Sequence, residues 1–107
     1  MTVYVDNARI KWANKLWCHL VADSLDELHN FAFALGLKRK WFQVSASYPH
    51  YDITASSRLI AISLGAKEGS RAQIISCARK LKNEHSGARA RDKTKQIEEQ
   101  LSLQLNN

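Results

Sequence analysis

The stretch that decides the fold is residues 16–37, LWCHLVADSLDELHNFAFALGL, in which a strand pattern runs directly into a helix pattern. Its first seven residues are apolar at nearly every position, which is typical of a central strand. Ser24 and Glu27 have the spacing of a capping box, and an apolar stripe at helical spacing then extends to Gly36, a residue that commonly ends helices. The stretch therefore predicts a strand followed by a helix over about 25–35.

Further elements are predicted on both sides of this unit. They are a short strand at 2–5, a strand at 41–44, a largely buried helix near 56–64 and a helix that starts at Ser70 with a second capping box through Gln73. We expect an α/β or α+β domain over residues 1–85, with a small three-stranded sheet and about three helices. Residues 86–107 are predicted to be a basic linker and a short amphipathic C-terminal helix.

Composition indicates a globular protein. The 107 residues are 45% apolar and 24% charged, which suits one folded domain rather than a disordered chain. Cys18 and Cys77 have neither disulfide-framework nor zinc-ligand spacing, so we interpret both as small core residues in a reducing compartment. With no signal-peptide or membrane-spanning pattern, we expect a cytoplasmic protein of a bacterium or an infected host cell, without a membrane partner.

The net charge of +6 is concentrated near the C-terminus. Residues 1–78 carry nine basic against six acidic residues, whereas residues 79–95 carry seven against two. Such a basic segment can neutralise phosphates and bind nucleic acid without sequence preference, although it could equally be a solvated tail. The candidate nucleic-acid-binding residues are Arg79, Lys80, Lys82, Arg89, Arg91, Lys93 and Lys95.

Polar side chains occur where predicted strands end, and a ligand crevice is common at such ends. If residues 50–53 are extended, His50 and Asp52 lie on the same face, where the carboxylate can orient the imidazole. Arg58 follows near a helix N-terminus, where anions bind. Together with His19, these residues form a predicted catalytic set, His50, Asp52, Arg58 and His19, suited to a phosphate or phosphodiester; Asp6 and Asp23 end the two preceding strands.

Each of these residues also has a structural interpretation. His50, Asp52 and Arg58 could form a network that ties the loop to the helix, and His19 could be a hydrogen-bonded core residue. Asp6 could join His19, His50 and Asp52 in a mixed nitrogen and oxygen metal site, but no close ligand spacing such as HExxH occurs. The sequence therefore assigns no metal and no cofactor.

Two further features remain open between a structural and a functional role. His29 stands at the edge of an apolar helix stripe, where a boundary residue is commoner than a ligand. Trp41 and Phe42 follow the basic residues 38–40, a combination found in single-strand nucleic-acid binding sites, although core packing is the more usual role of such aromatics.

An ordered series of short motifs resembles an uncharacterised "domain of unknown function" family of bacteria and their phages. The likeness covers about residues 1–71 and consists of MTVYVD at 1–6, Arg9, Cys18-His19, Ala22-Asp23, Glu27-Leu28-His29, Trp41-Phe42-Gln43, His50-Tyr51-Asp52, Arg58 and Gly65-Ala66. Lys11 stands where proline is common in the family, and Gly69 where an apolar residue is usual. The resemblance implies a bacterial or phage origin and no established activity, and it groups His19, Asp23, His29, His50, Asp52 and Arg58 as one polar set.

The leading functional hypothesis is a small domain that binds or hydrolyses a phosphate-containing ligand, either nucleic acid or a nucleotide. The alternative is a non-catalytic, phage-encoded regulator that binds a host protein or forms a homodimer through a C-terminal helix carrying Ile97, Leu101 and Leu105. A third possibility is a DNA-binding module that uses residues 70–82. The sequence does not decide between an enzyme and a binding protein.

Overall fold

The computed structural model describes residues 2–44 and 48–87. In chain order, the elements are β1 (Val3–Val5), β2 (Ile10–Trp12), β3 (Lys15–Ala22), α1 (Leu25–Ala34), a 3-10 turn (Arg39–Trp41), β4 (Tyr51–Thr54), α2 (Ala55–Ser63), β5 (Lys67–Glu68) and a helix, α3, over 71–87. The described residues thus form one mixed sheet of five strands with three α-helices. This confirms the predicted α+β fold class, although the sheet has five strands instead of the three expected.

The long strand β3 is the centre of the sheet because it is paired along both edges. Strand β4 lies antiparallel on one edge, and β1 and β2 lie antiparallel, one after the other, on the opposite edge. Trp17 accordingly has neighbours on both sides, Ile10 and Thr54. Strand β5 extends the sheet parallel to β1.

A bulge at residues 6–9 separates β1 from β2. Within it, the Asp6 N–H donates to the carbonyl of His19 (3.1 Å), while an Asp6 carboxylate oxygen accepts from the His19 N–H (2.8 Å). The side chain of Asp6 thus replaces a backbone acceptor that the bulge has moved out of register. From α2, Arg58 Nε donates to the Asp6 carbonyl at 2.8 Å and holds the bulge from the other side.

The turn between β2 and β3 is tight and uses left-handed backbone. Ala13 (φ 52°) and Asn14 (φ 62°) both have positive φ, as the two central residues of a type I′ hairpin turn do. Alanine is an unusual residue there because its Cβ crowds the backbone in this conformation. Without an Asn-Gly or Asp-Gly pair, the sequence carries no strong hairpin signal, and β2 was not predicted.

The two faces of the sheet differ in character. The core face carries Cys18, Leu20 and Tyr51, which pack with buried residues of α1 and α2 such as Leu28 and Ala61. Successive side chains of a strand point to opposite faces. The other face, called the cleft face here, therefore presents the alternate residues, which are Trp12 of β2, Lys15, Trp17, His19 and Val21 of β3, and Asp52 and Thr54 of β4.

The three predicted helices within the described residues form, but α2 is not largely buried as predicted, since Ala61 is its one buried residue. Of the predicted capping box of α1, only the bond to the Ser24 hydroxyl is present. The Ser24 hydroxyl accepts from the N–H of Glu27, and Ser70 and Gln73 make both hydrogen bonds of their capping box. Helix α3 is joined to the start of α1, because the Glu84 carboxylate accepts from the N–H of Leu25 at 2.9 Å. No helix within 2–44 or 48–87 is both long and apolar enough to cross a bilayer.

The prediction of a strand at 41–44 was wrong. Residues 39–41 form a 3-10 turn, and only Gln43 pairs with the sheet, through a single bridge to His50. Conversely, residues 51–54 form a strand, and α2 begins at Ala55, within one residue of its predicted start. The predicted C-terminal helix, with Ile97, Leu101 and Leu105, lies outside the described residues.

Candidate functional site

His19, His50 and Asp52 converge on the cleft face. His19 is directly opposite Asp52 in the antiparallel pair of β3 and β4, and His50 precedes Asp52 by two residues on the same face. The Nε2 atom of His50 is 3.1 Å from Asp52 Oδ1, and that of His19 is 3.9 Å from the same oxygen. The extended geometry that the sequence predicted for His50 and Asp52 is therefore present.

Each imidazole is held from behind through its Nδ1 atom. His19 Nδ1 is hydrogen-bonded to the Asp6 carboxylate, and His50 Nδ1 is 2.8 Å from the backbone carbonyl of Tyr48. Because these partners are acceptors, the consistent assignment places the N–H of each ring on Nδ1. Both Nε2 atoms are then turned towards Asp52.

The Asp6–His19 contact shifts the pKa values of both groups. The hydrogen bond to Asp6 raises the pKa of His19 against the opposing effect of burial, with the charges of Asp6 and Asp52 adding to the rise. Burial alone would raise the pKa of Asp6, but its hydrogen bonds with His19 outweigh burial and lower it. Asp6 is therefore a carboxylate at neutral pH and a strong acceptor for the His19 ring.

A cavity of about 800 Å³ opens above this cluster. Its lining combines aromatic, cationic and catalytic-type side chains, including Trp12, Trp17, Trp41, Lys11, Lys15, His19, His50 and Asp52. Trp12 is 69% exposed and Trp41 46% exposed, so both present ring surface to solvent. The volume falls within the usual range of small-molecule binding sites.

The tryptophan wall is held in place by its own contacts. Trp17 Nε1 donates to the Trp12 carbonyl at 2.9 Å, and the two rings meet edge to face with centroids 6.1 Å apart. On the opposite wall, Lys38 Nζ lies 5.6 Å from the ring centre of Trp41. The aromatic surfaces are thus fixed while remaining accessible.

Arg58 lies apart from the cluster. Besides its bond to the Asp6 carbonyl, its guanidinium donates to Glu68 at 2.9 Å, and it does not line the cavity. The contacts make Arg58 a residue that positions Asp6, which in turn positions His19. A phosphate in the cleft would instead meet Lys15, which lies on the cleft face opposite Trp12.

Asp23 and His29, which the resemblance grouped with the cluster, have other partners. Asp23 accepts from Lys80 at 3.3 Å and from the Cys77 thiol at 3.5 Å. His29 Nδ1 is 2.9 Å from the Tyr51 hydroxyl, on the core face. Both residues connect helices to the body of the domain and do not line the cleft.

The basic segment is only partly within the described residues. Arg79, Lys80 and Lys82 are exposed on α3, where Lys80 pairs with Asp23 and Lys82 lies over the ring of Tyr48. Arg89, Arg91, Lys93 and Lys95 lie outside the described residues. Nucleic-acid binding by this segment stays a prediction.

The sequence analysis missed Lys11, Trp12, Lys15 and Trp17. The signal was a period of two through Lys15, Trp17 and His19, which places all three on one face of a strand. It was obscured because the apolar residues between them made the segment look buried on both sides. Trp12 could not be placed without the hairpin turn that precedes β3.

The match to a family model confirms the resemblance seen in the sequence. The model described as "Protein of unknown function (DUF4031)" matches residues 3–81, and the chain belongs to this family. No match was found among curated proteins or among solved structures.

Proposed function

We propose that the cleft binds a nucleotide or a short single strand of nucleic acid, with its phosphate at the His19, His50 and Asp52 cluster. The observation that carries this proposal is one cavity that combines exposed tryptophan rings, two lysines and a histidine–aspartate cluster. A ligand that suits all three needs a flat aromatic part and an anionic part. Nucleotides have both.

Stacking supports the aromatic half of the proposal. Nucleic-acid bases stack on aromatic side chains whatever their sequence, and each stacked base contributes about 1–3 kcal/mol. Trp12 offers the most exposed ring in the cavity, and the edge-to-face contact with Trp17 limits its movement. A side chain that is already ordered before binding loses less conformational entropy when the ligand binds.

Charge supports the phosphate half. Lys15 lies on the cleft face at the mouth of the cavity. Lys11 also lines the cavity, although its pairing with Leu16 places it on the other face of the hairpin, and both lysines are exposed. Their charges favour an anion near the two histidines. Hydrolysis of the bound phosphate ester at this cluster is the reaction that the arrangement favours.

Titration of the full chain with AMP, followed by tryptophan fluorescence, tests the binding proposal. We expect Trp12→Ala to weaken AMP binding about tenfold, from the loss of one stacked base. Phe33→Ala is the matched control, since Phe33 is 83% exposed and does not line the cavity. Absence of AMP binding, or equal loss in both variants, would contradict the proposal.

The alternative, a non-catalytic regulator, is supported by a different surface. Leu59, Ile60 and Leu64 are exposed large apolar residues of α2 and its C-cap, a set that suits contact with a second protein. Light scattering on the samples used for the AMP titration separates the two proposals. A dimeric mass without any AMP binding favours the regulator, whereas a monomer that binds AMP excludes self-association as the basis of function.

A further inference from the structure

In the neutral tautomers that the Nδ1 contacts select, lone pairs and not N–H groups face the space between His19, His50 and Asp52. A neutral imidazole carries a single N–H. In both rings this N–H is on Nδ1, where it donates to the Asp6 carboxylate or to the Tyr48 carbonyl. Each Nε2 therefore directs its lone pair towards the Asp52 carboxylate, which is a hydrogen-bond acceptor and cannot donate. Three electron-pair donors that face one another repel unless a cation lies among them.

The distances within the cluster favour a shared ion over direct hydrogen bonds. His50 Nε2 lies 3.1 Å from Asp52 Oδ1, but His19 Nε2, at 3.9 Å, is beyond hydrogen-bond distance from the same oxygen. Arg58 donates to Glu68 and to the backbone carbonyl of Asp6, so these hydrogen bonds do not join its guanidinium to Asp52.

We propose that His19, His50 and Asp52 bind one divalent transition-metal ion through the two Nε2 atoms and a carboxylate oxygen. One ligand atom from each residue lies within 4.8 Å of the other two. Ligands about 2.0–2.2 Å from an ion lie roughly 3–4 Å apart, so small side-chain rotations bring the three into range. Two imidazoles and one carboxylate suit Zn²⁺, Mn²⁺ or Fe²⁺ and leave coordination positions for water or a ligand oxygen.

The groups behind the ligands are those that metal-binding histidines use. Such a histidine almost always donates its second ring N–H to a carboxylate or a backbone carbonyl, which fixes the tautomer and raises the basicity of the ligating nitrogen. His19 has the carboxylate form of this arrangement and His50 the carbonyl form. The bulge at residues 6–9 would therefore support the metal site, because it places the Asp6 carboxylate beside His19 Nδ1.

This inference deepens the proposed function and, as to substrate, rests on it. An ion at the cluster would hold a phosphate oxygen in the cleft and lower the pKa of a bound water. Ion binding itself requires no nucleotide. The two proposals can therefore fail independently.

Calorimetric titration of the chelator-treated full chain with ZnCl₂, MnCl₂ or CoCl₂, without nucleotide, tests the site. We expect one ion per chain, and a Co²⁺ visible spectrum of nitrogen and oxygen ligation without thiolate charge-transfer bands. His50→Ala and Asp52→Ala should abolish stoichiometric binding, and Asp6→Asn should weaken it 10- to 100-fold through the orientation of His19. His85→Ala is the matched control, because His85 lies on α3 and outside the cluster.

Circular dichroism of each variant confirms that it is folded, and His50→Gln replaces His50→Ala if the smaller residue prevents folding. Absence of stoichiometric binding, binding that survives Asp52→Ala and His50→Ala, or equal loss in His85→Ala would overturn the metal site. If the ion binds but AMP does not, the metal site stands and the proposed function fails. AMP binding that depends on Trp12 without any ion binding gives the reverse result.

Discussion

His29 of α1 packs on the core face of the sheet and His19 of β3 lies on the cleft face; both are hydrogen-bonded through Nδ1, and their pKa values shift in opposite directions. On the core face, His29 contacts the Tyr51 hydroxyl, and burial lowers the pKa of its imidazole. On the cleft face, His19 contacts the Asp6 carboxylate, which raises the pKa of its imidazole. Burial and the charge of Arg39 favour neutral His29, whereas the hydrogen bond to the charged Asp6 carboxylate favours protonated His19.

In strand β4, neighbouring residues alternate between these two environments. Tyr51 and Ile53 are buried in the core, whereas Asp52, between them, faces the cleft. A one-residue shift in register would exchange the two sets, placing a carboxylate in the core and an aromatic hydroxyl at the cluster. The core face therefore secures the register on which the cleft face depends, so the two faces should respond to mutation in different ways.

The largest effect on stability is expected from Leu20→Ala. Leu20 is fully buried (0% exposed) at the centre of the core face, and removal of its side chain should lower the free energy of unfolding by about 3 kcal/mol. Leu16→Ala is the matched control, as Leu16 lies on the same strand and face but is 41% exposed and should cost less than about 1 kcal/mol. Urea unfolding measures both, and similar losses in the two variants would show that burial does not distinguish them.

A smaller effect, of opposite sign, is expected from Ala13→Gly at the edge of the cleft. Glycine adopts the positive φ of this turn without the steric cost that alanine pays, so the free energy of unfolding should rise by about 1 kcal/mol. In Ala34→Gly, where the alanine has helical backbone in α1, stability should instead fall by up to about 1 kcal/mol. The urea midpoints of the two variants should move in opposite directions, and a decrease in Ala13→Gly would refute the strained turn.

The parts of the fold that were predicted are those specified by neighbouring residues. The helices α1 and α3 were readable because caps and apolar stripes lie within one stretch of chain, and β3 because its apolar run is long. The segment 41–44 was misread because its aromatics diverge. Phe42 packs against His29 and Tyr51, while Trp41 lines the cleft, and this separation arises from tertiary packing instead of strand alternation.

The candidate site was predictable to the same extent. His50 and Asp52 could be paired because they are two residues apart in one strand, and His19 was recognised as a polar residue in an apolar run. Asp6, 13 residues from His19, was named as a possible member of the same site, but its hydrogen bond to His19 was not predicted because the bulge that joins them leaves no local pattern. Arg58 was expected at the cluster from its place near a helix N-terminus, but Glu68 and the bulge take up its hydrogen bonds.

The smallest effect is a difference in pH dependence that tests the contrast between the two histidines. Burial, with the charge of Arg39, holds the pKa of His29 below the 6.5 of an unfolded chain, against the weaker opposing effects of Asp26 and Glu84. Below about pH 6.5 the unfolded chain therefore binds more protons at this residue than the fold does, and the stability contributed by neutral His29 is lost as the pH falls through its folded value. For His19, whose folded pKa is raised, protonation over the same range favours the fold.

In His29→Gln, which can still bond the Tyr51 hydroxyl, only the effect of His19 remains. Relative to His29→Gln, the natural chain should therefore lose free energy of unfolding as the pH falls from 7.5 to 5, and parallel profiles would show that burial does not shift the pKa of His29.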